Sequence, residues 1–155
     1  MQQAAQQFKA FVQYIQPGFE ELQRRFKPYV NPEYKSRLDP IERCKTVSRE
    51  SREVTFEFVG MNRTASSDEV LNELNRRGLR HALYEEFLGF TEKYPDEVLR
   101  GHIVALGSAT AKDGWDYAAC LSSDGICRYL DLRQSSIFSS SVFWNGYARF
   151  LAVRE

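Results

Sequence analysis

Four sets of side chains have types and spacings that invite chemistry. Cys120 and Cys127 flank Asp124-Gly125, a hairpin-turn dipeptide, so two neighbouring strands would carry their sulfurs toward one another and permit redox or nucleophilic use. Arg128 is the one basic residue close in sequence that could lower a thiol pKa, and cysteine is also a common small buried hydrophobe, so a structural role is expected. Glu85 and Glu86 make a carboxylate pair, but adjacent helix positions point apart, and a solvated helix face is the expectation. His81 sits in a helix connection and His102 opens a strand, which suits packing or surface exposure better than general-base work. No Gly-rich phosphate loop, GxSxG or HExxH occurs in the sequence. The fourth set is the most informative. On a strand, Leu130 and Leu132 fall on one face and Tyr129, Asp131 and Arg133 on the other. With the leucines inward, those three stand exposed beside a Ser-rich stretch bearing Phe138, Phe143, Trp144, Asn145 and Tyr147. Aromatic anchors among small polar residues suit a recognition surface. Trp144 is expected to plug the core, whereas for Phe138 and Phe143 core and surface are both open.

The elements that must position these residues follow from periodicity. Apolar residues at 8, 11, 12, 15, 19, 22 and 26 recur at three- and four-residue steps and predict an amphipathic helix over 8–26, split by Pro17-Gly18. Residues 28–40 read as a loop. Val54, Phe56 and Phe58 alternate with Thr55 and Glu57, a half-buried strand. Ser66 and Glu69 form a capping box before Val70, Leu71 and Leu74, in a helix closed by Gly78. A second helix starts near Leu83, carries Phe87, Leu88 and Phe90, and stops at Pro95. Strands are expected over 102–106, 115–121, 126–132 and 147–153, with a turn at 123–125. Helices first and a compact β region afterwards make an α+β fold.

At 155 residues the chain makes one domain able to bury a core unaided. Its 21 Lys+Arg balance 21 Asp+Glu, which removes the basic footprint of a nucleic-acid binder. No apolar run is long enough to insert in a membrane. The Gln-rich start lacks the pattern of a signal peptide, so cytoplasmic location is the default expectation. Three cysteines without a CxxC pair argue against a disulfide framework or a zinc site. The average conceals a break. Residues 1–113 contain 6 Lys and 13 Glu, yet 114–154 contain neither residue type, nor any Met. Soluble surfaces are ordinarily dressed with Lys and Glu, so that tail is built under a different rule.

Trp144-Asn145-Gly146 resembles the Trp-Asn-Asp segment of calcium-dependent sugar-binding lectins, but glycine replaces the carboxylate and no Glu-Pro-Asn element exists, so no calcium ion is expected. A broader likeness covers residues 52–155. Gly78-Leu79-Arg80, Glu85-Glu86-Phe87, the run from Ile103 to Ser108 and the run from Arg149 to Arg154 resemble, in order, the framework of C-type-lectin-fold proteins of the formylglycine-generating-enzyme type. Within that group the chain is most similar to the variable proteins of diversity-generating retroelements, above all those of archaea, small-genome bacteria and their viruses. The resemblance implies a C-type-lectin-like domain over 51–155, preceded by an N-terminal helical segment over 1–50 that packs on or extends it. It further implies a variable region at about 115–148, rewritten by a reverse transcriptase that errs at adenines. AAC and AAT codons scattered in that way cannot yield Lys, Glu, Gln, Met or Trp. Carried over residue by residue, the diversified ligand-facing positions are Tyr117, Ser122, Asp124, Tyr129, Asp131, Arg133, Ser136, Phe138, Ser140, Phe143, Asn145 and Tyr147. Leu130, Leu132, Trp144 and the strand from Arg149 to Arg154 are invariant scaffold. The implied function is non-enzymatic: display of a hypervariable surface to diverse ligands, chiefly proteins, with no cofactor and no metal. The alternative is a small formylglycine-generating-enzyme-like or redox enzyme using Cys120 and Cys127, although their spacing does not sit in that enzyme's motif context. Ligand identity and oligomeric state are left open.

Overall fold

Apolar alternation on both faces of a central sheet organises the chain. The computed structural model describes residues 5–15, 20–21, 24, 29–30, 50–112, 115–125, 128–134 and 143–155, with the backbone alone at 29–30, 108–112, 115–117 and 132–134. The elements in chain order are β1 (Phe8–Val12), β2 (Tyr29–Val30), β3 (Arg52–Gly60), β4 (Ala65–Ser66), α1 (Ser67–Arg76), β5 (Arg80–His81), α2 (Tyr84–Lys93), a 3-10 segment (Pro95–Arg100), β6 (Ile103–Lys112), β7 (Trp115–Ser123), β8 (Arg128–Gln134), β9 (Phe143–Trp144) and β10 (Arg149–Arg154). The fold is α+β. One sheet has the order β1-β3-β10-β6-β7-β8-β2, with β5 also on β10, and β4 and β9 form a separate pair. Strand β10 pairs parallel to β6 and β2 parallel to β8, and the other pairings are antiparallel.

Each strand splits its residues between two cores, because successive side chains leave opposite faces. On one face α2 contributes Phe87, Leu88 and Phe90, which pack with Phe8, Ala10, Val12, Val54, Phe56, Ile103, Leu121, Leu130, Leu151 and Val153. On the other, Val70 and Leu74 of α1 pack with Val59, Val104, Leu106, Cys120, Trp144, Phe150 and Ala152. The strand alternation of residues 150–153 is thus divided evenly between the two. Gly107 lies where β6 leaves β10 and β5 replaces it. A Cβ there would stand 2.3 Å from the Ala82 carbonyl oxygen, so only glycine lets the strands converge.

The helix expected from Phe8 is instead β1. Phe8, Ala10 and Val12 are buried at two-residue spacing, whereas Phe11 and Ile15, which a helix would have placed with Phe8, are 62% and 70% exposed. Pairing with β3 and burial of an aromatic outweigh the local three-and-four spacing, which Ala10 conceals by being small. The described residues of the second half of that segment, 20, 21 and 24, are helical. Within the expected 28–40 loop, Tyr29 and Val30 pair with Tyr129 and Leu130. The N-terminal segment therefore supplies strands at both ends of the sheet order.

Helix α1 begins as expected: Ser66 is the N-cap, and its Oγ accepts the Glu69 N–H at 3.2 Å. Helix α2 ends one residue before the Tyr94-Pro95 boundary. The expected strand over 102–106 extends to Lys112, past a register shift between Ala105 and Thr110. No helix among the described residues is long and apolar enough to cross a membrane.

The expectation of solvated Glu85 and Glu86 is overturned: they are 2% and 0% exposed. Arg80 forks onto Glu86 with two contacts of 2.8 Å, the Leu83 N–H donates to Glu86 at 2.8 Å, and the Tyr14 hydroxyl donates to it at 2.9 Å. Arg80 also reaches Glu155 at 2.8 Å, and Glu155 meets Arg52 at 3.4 Å. The four segments that meet here are far apart in sequence, which is why adjacency on a helix said nothing about burial. Burial alone would raise the Glu86 carboxyl. The Arg80 guanidinium, the Leu83 N–H and the Tyr14 hydroxyl more than offset that and leave it below the usual carboxylate range.

Candidate functional site

The β7–β8 hairpin sets the geometry of the candidate site. Its register pairs Ala118 with Arg133, Cys120 with Asp131 and Ser122 with Tyr129, so these positions share one face. That face is the α1 face, since Cys120 packs there while Leu130, one position out of phase, packs against the α2 side. Near β10 the α1 face is covered by α1 and Trp144. At β8 it opens, and Ser122, Tyr129 and Asp131 are half-buried. The hairpin closes at Gly125, at φ +90°, where its N–H donates to Ser123 Oγ at 3.0 Å. Exposed Asp124 accepts the Tyr129 hydroxyl at 2.7 Å, which fixes the ring along the hairpin end.

Tyr117 pairs with Gln134, and its position therefore falls in phase with Ala119 and Leu121, on the opposite face from Ser122 and Tyr129. Parity in the sequence already carried this signal, because residues five apart on one strand cannot share a face. Leu132 pairs with Ala119 and so holds a position in phase with Leu130. Ser136, Phe138 and Ser140 lie outside the described residues, as does Cys127. Cys120 is 1% exposed and stands opposite Asp131 in the register.

The second part of the surface is the turn after β9. Trp144 is buried as expected, its ring edge-on to Phe150 at 5.7 Å and its Nε1 donating to Ser67 Oγ at 2.9 Å. Its neighbour Phe143 is 58% exposed and Tyr147 is 82% exposed. Asn145 is exposed, and its Oδ1 accepts the Tyr147 N–H at 2.9 Å. Gly146 passes so close to the 62–63 backbone that a Cβ would meet Arg63 N at 3.2 Å.

His81 is half-buried, and burial first, then the Arg80 charge, lowers its pKa. Among the described residues no group of three His, Cys, Asp or Glu comes together in a way that could hold a metal ion. The chain matches no protein-family model, no curated protein and no solved structure.

Proposed function

We propose that this chain is a display protein: a C-type-lectin-like framework presenting a hypervariable ligand-binding surface on its C-terminal strands, of the kind that diversity-generating retroelements rewrite. The observation that carries the reading is a coincidence between composition and burial. In the tail without Lys or Glu, Ser122, Asp124, Tyr129, Asp131, Phe143 and Tyr147, six of the nominated residues, are half-buried or exposed. Of the residues nominated as scaffold, Leu130, Trp144 and the run from Phe150 to Val153 are buried, whereas Arg149 is half-buried and Arg154 exposed at the two ends of their strand. A surface drawn in that way can change its residues at little cost to the core, since exposed substitutions usually alter stability by no more than about 0.5 kcal/mol. Ligands, proteins above all, would be held by aromatic anchors such as Phe143 and Tyr147 and by adaptable polar groups such as Asp131.

The test is genetic. Sequencing around the gene should find a reverse transcriptase and an adenine-rich near-copy of codons 115–150, and isolates of one population should differ at Tyr129, Asp131 and Tyr147 while agreeing at Leu130 and Trp144. Absence of the reverse transcriptase and of the near-copy, or identical residues at the nominated positions across many isolates, would sink the reading.

A further inference from the structure

The structure assigns Asn145 to holding the display turn in shape, as a positioning residue, and not to touching ligand; this assignment rests on the display reading only for the consequence it has for binding. Asn145 is exposed, as a contact residue would be, but both of its acceptors are turned into its own turn. The side-chain Oδ1 takes the Tyr147 N–H at 2.9 Å, and the main-chain carbonyl takes the Ala148 N–H at 3.2 Å. A side-chain oxygen that accepts from the N–H two residues on closes an Asx turn, which Asn and Asp form well and Ser more weakly.

The turn is pinned on its inner side at successive points by framework residues that precede the compositional break. Ser66 and Ala65 pair with Phe143 and Trp144, Ser67 takes the Trp144 indole N–H, and the 62–63 backbone abuts Gly146. The Arg149 N–H then donates to the His102 carbonyl at 2.8 Å. Between these pins only Phe143 and Tyr147 project a large apolar side chain outward. Asn145 sits midway and sets where the Tyr147 backbone leaves the turn. The residues that read ligand at this end of the surface are then Phe143 and Tyr147, four positions apart, with Asn145 fixing the distance between them.

Two measurements on the full chain test this. Amide hydrogen exchange should quicken about tenfold at Tyr147 in Asn145→Ala, for loss of one hydrogen bond, and return to the parental rate in Asn145→Asp, which keeps the acceptor. In yeast-displayed libraries selected on immobilised lysozyme as probe, randomising position 145 should leave only Asn, Asp and Ser among well-expressed clones, whereas randomising 143 and 147 together should keep expression and yield binders. An unchanged Tyr147 exchange rate in Asn145→Ala, or a position 145 that accepts large and apolar residues among the binders, would overturn the assignment. If position 145 behaves as stated and the 143/147 library yields no binder, the positioning role stands and the display reading fails.

Discussion

The two faces of the one sheet are built to different ends. On the α2 face Phe8, Phe56, Phe58, Phe90 and Tyr94 interlock, with ring centroids 5.1–5.5 Å apart. Such contacts add to the area they bury. The side chains of Lys93 and Tyr94, both bonded to the Lys9 carbonyl, tie this face to β1, and Glu86 accepts the Tyr14 hydroxyl just past the end of that strand. The α1 face has one described aromatic pair, Trp144 with Phe150, and beyond it the strands open onto half-buried polar residues. Aromatic packing is concentrated on the α2 side, and the α1 side carries the half-buried polar residues.

The sharpest way to break this contrast is Phe90→Ala. Phe90 is fully buried among four aromatic partners, and its removal should lower stability by about 3–5 kcal/mol in chemical denaturation. A loss below about 1 kcal/mol would mean that the α2 face is not the stabilising one. Glu86→Ala should cost a similar or slightly smaller amount, about 3 kcal/mol, because it leaves Arg80 without its buried partner. The same carboxylate gives the comparison a pH signature. Its folded pKa lies below the ordinary 4.5, so the unfolded chain binds more protons in that window. Its contribution is complete above that value and is lost as pH falls through the folded pKa. Denaturation midpoints of the parent should therefore drop between pH 5 and pH 3 by more than those of Glu86→Gln, within roughly the linkage expected for one shifted carboxylate.

On the α1 face the expected effects shrink. Ser67→Ala removes the acceptor of the Trp144 indole and should cost about 1–3 kcal/mol, read from the thermal transition. Phe143→Ser and Tyr147→Ser should each shift stability by no more than about 0.5 kcal/mol while changing which ligands a displayed clone retains. If these two destabilise as much as Phe90→Ala, the division between faces is lost.

What could be read from the sequence was local. The Ser66 cap with Glu69, the stop at Pro95, the turn at Gly125 and the phase of Leu130 against Tyr129 and Asp131 each depend on neighbours a few residues apart, and each appears in the structure. What escaped depends on distant partners. β1 forms because β3 offers an edge, and Glu86 is buried because Arg80 and Tyr14 converge on it from other elements. For the candidate surface, strand phase identified Asp131 and Tyr129, but the inward commitment of the Asn145 side chain could be seen only in three dimensions.

The place of β10 in the sheet has a further consequence for how the protein is made. This strand lies between β3 and β6, yet it follows every nominated variable position in the chain. As the polypeptide leaves the ribosome, the middle of the sheet stays vacant until residues 149–154 emerge, so neither core can close earlier. A frameshift or stop within codons 115–148 thus removes the central strand along with whatever part of the β7–β8 hairpin follows it. Completion of both cores therefore waits on the last strand of the chain.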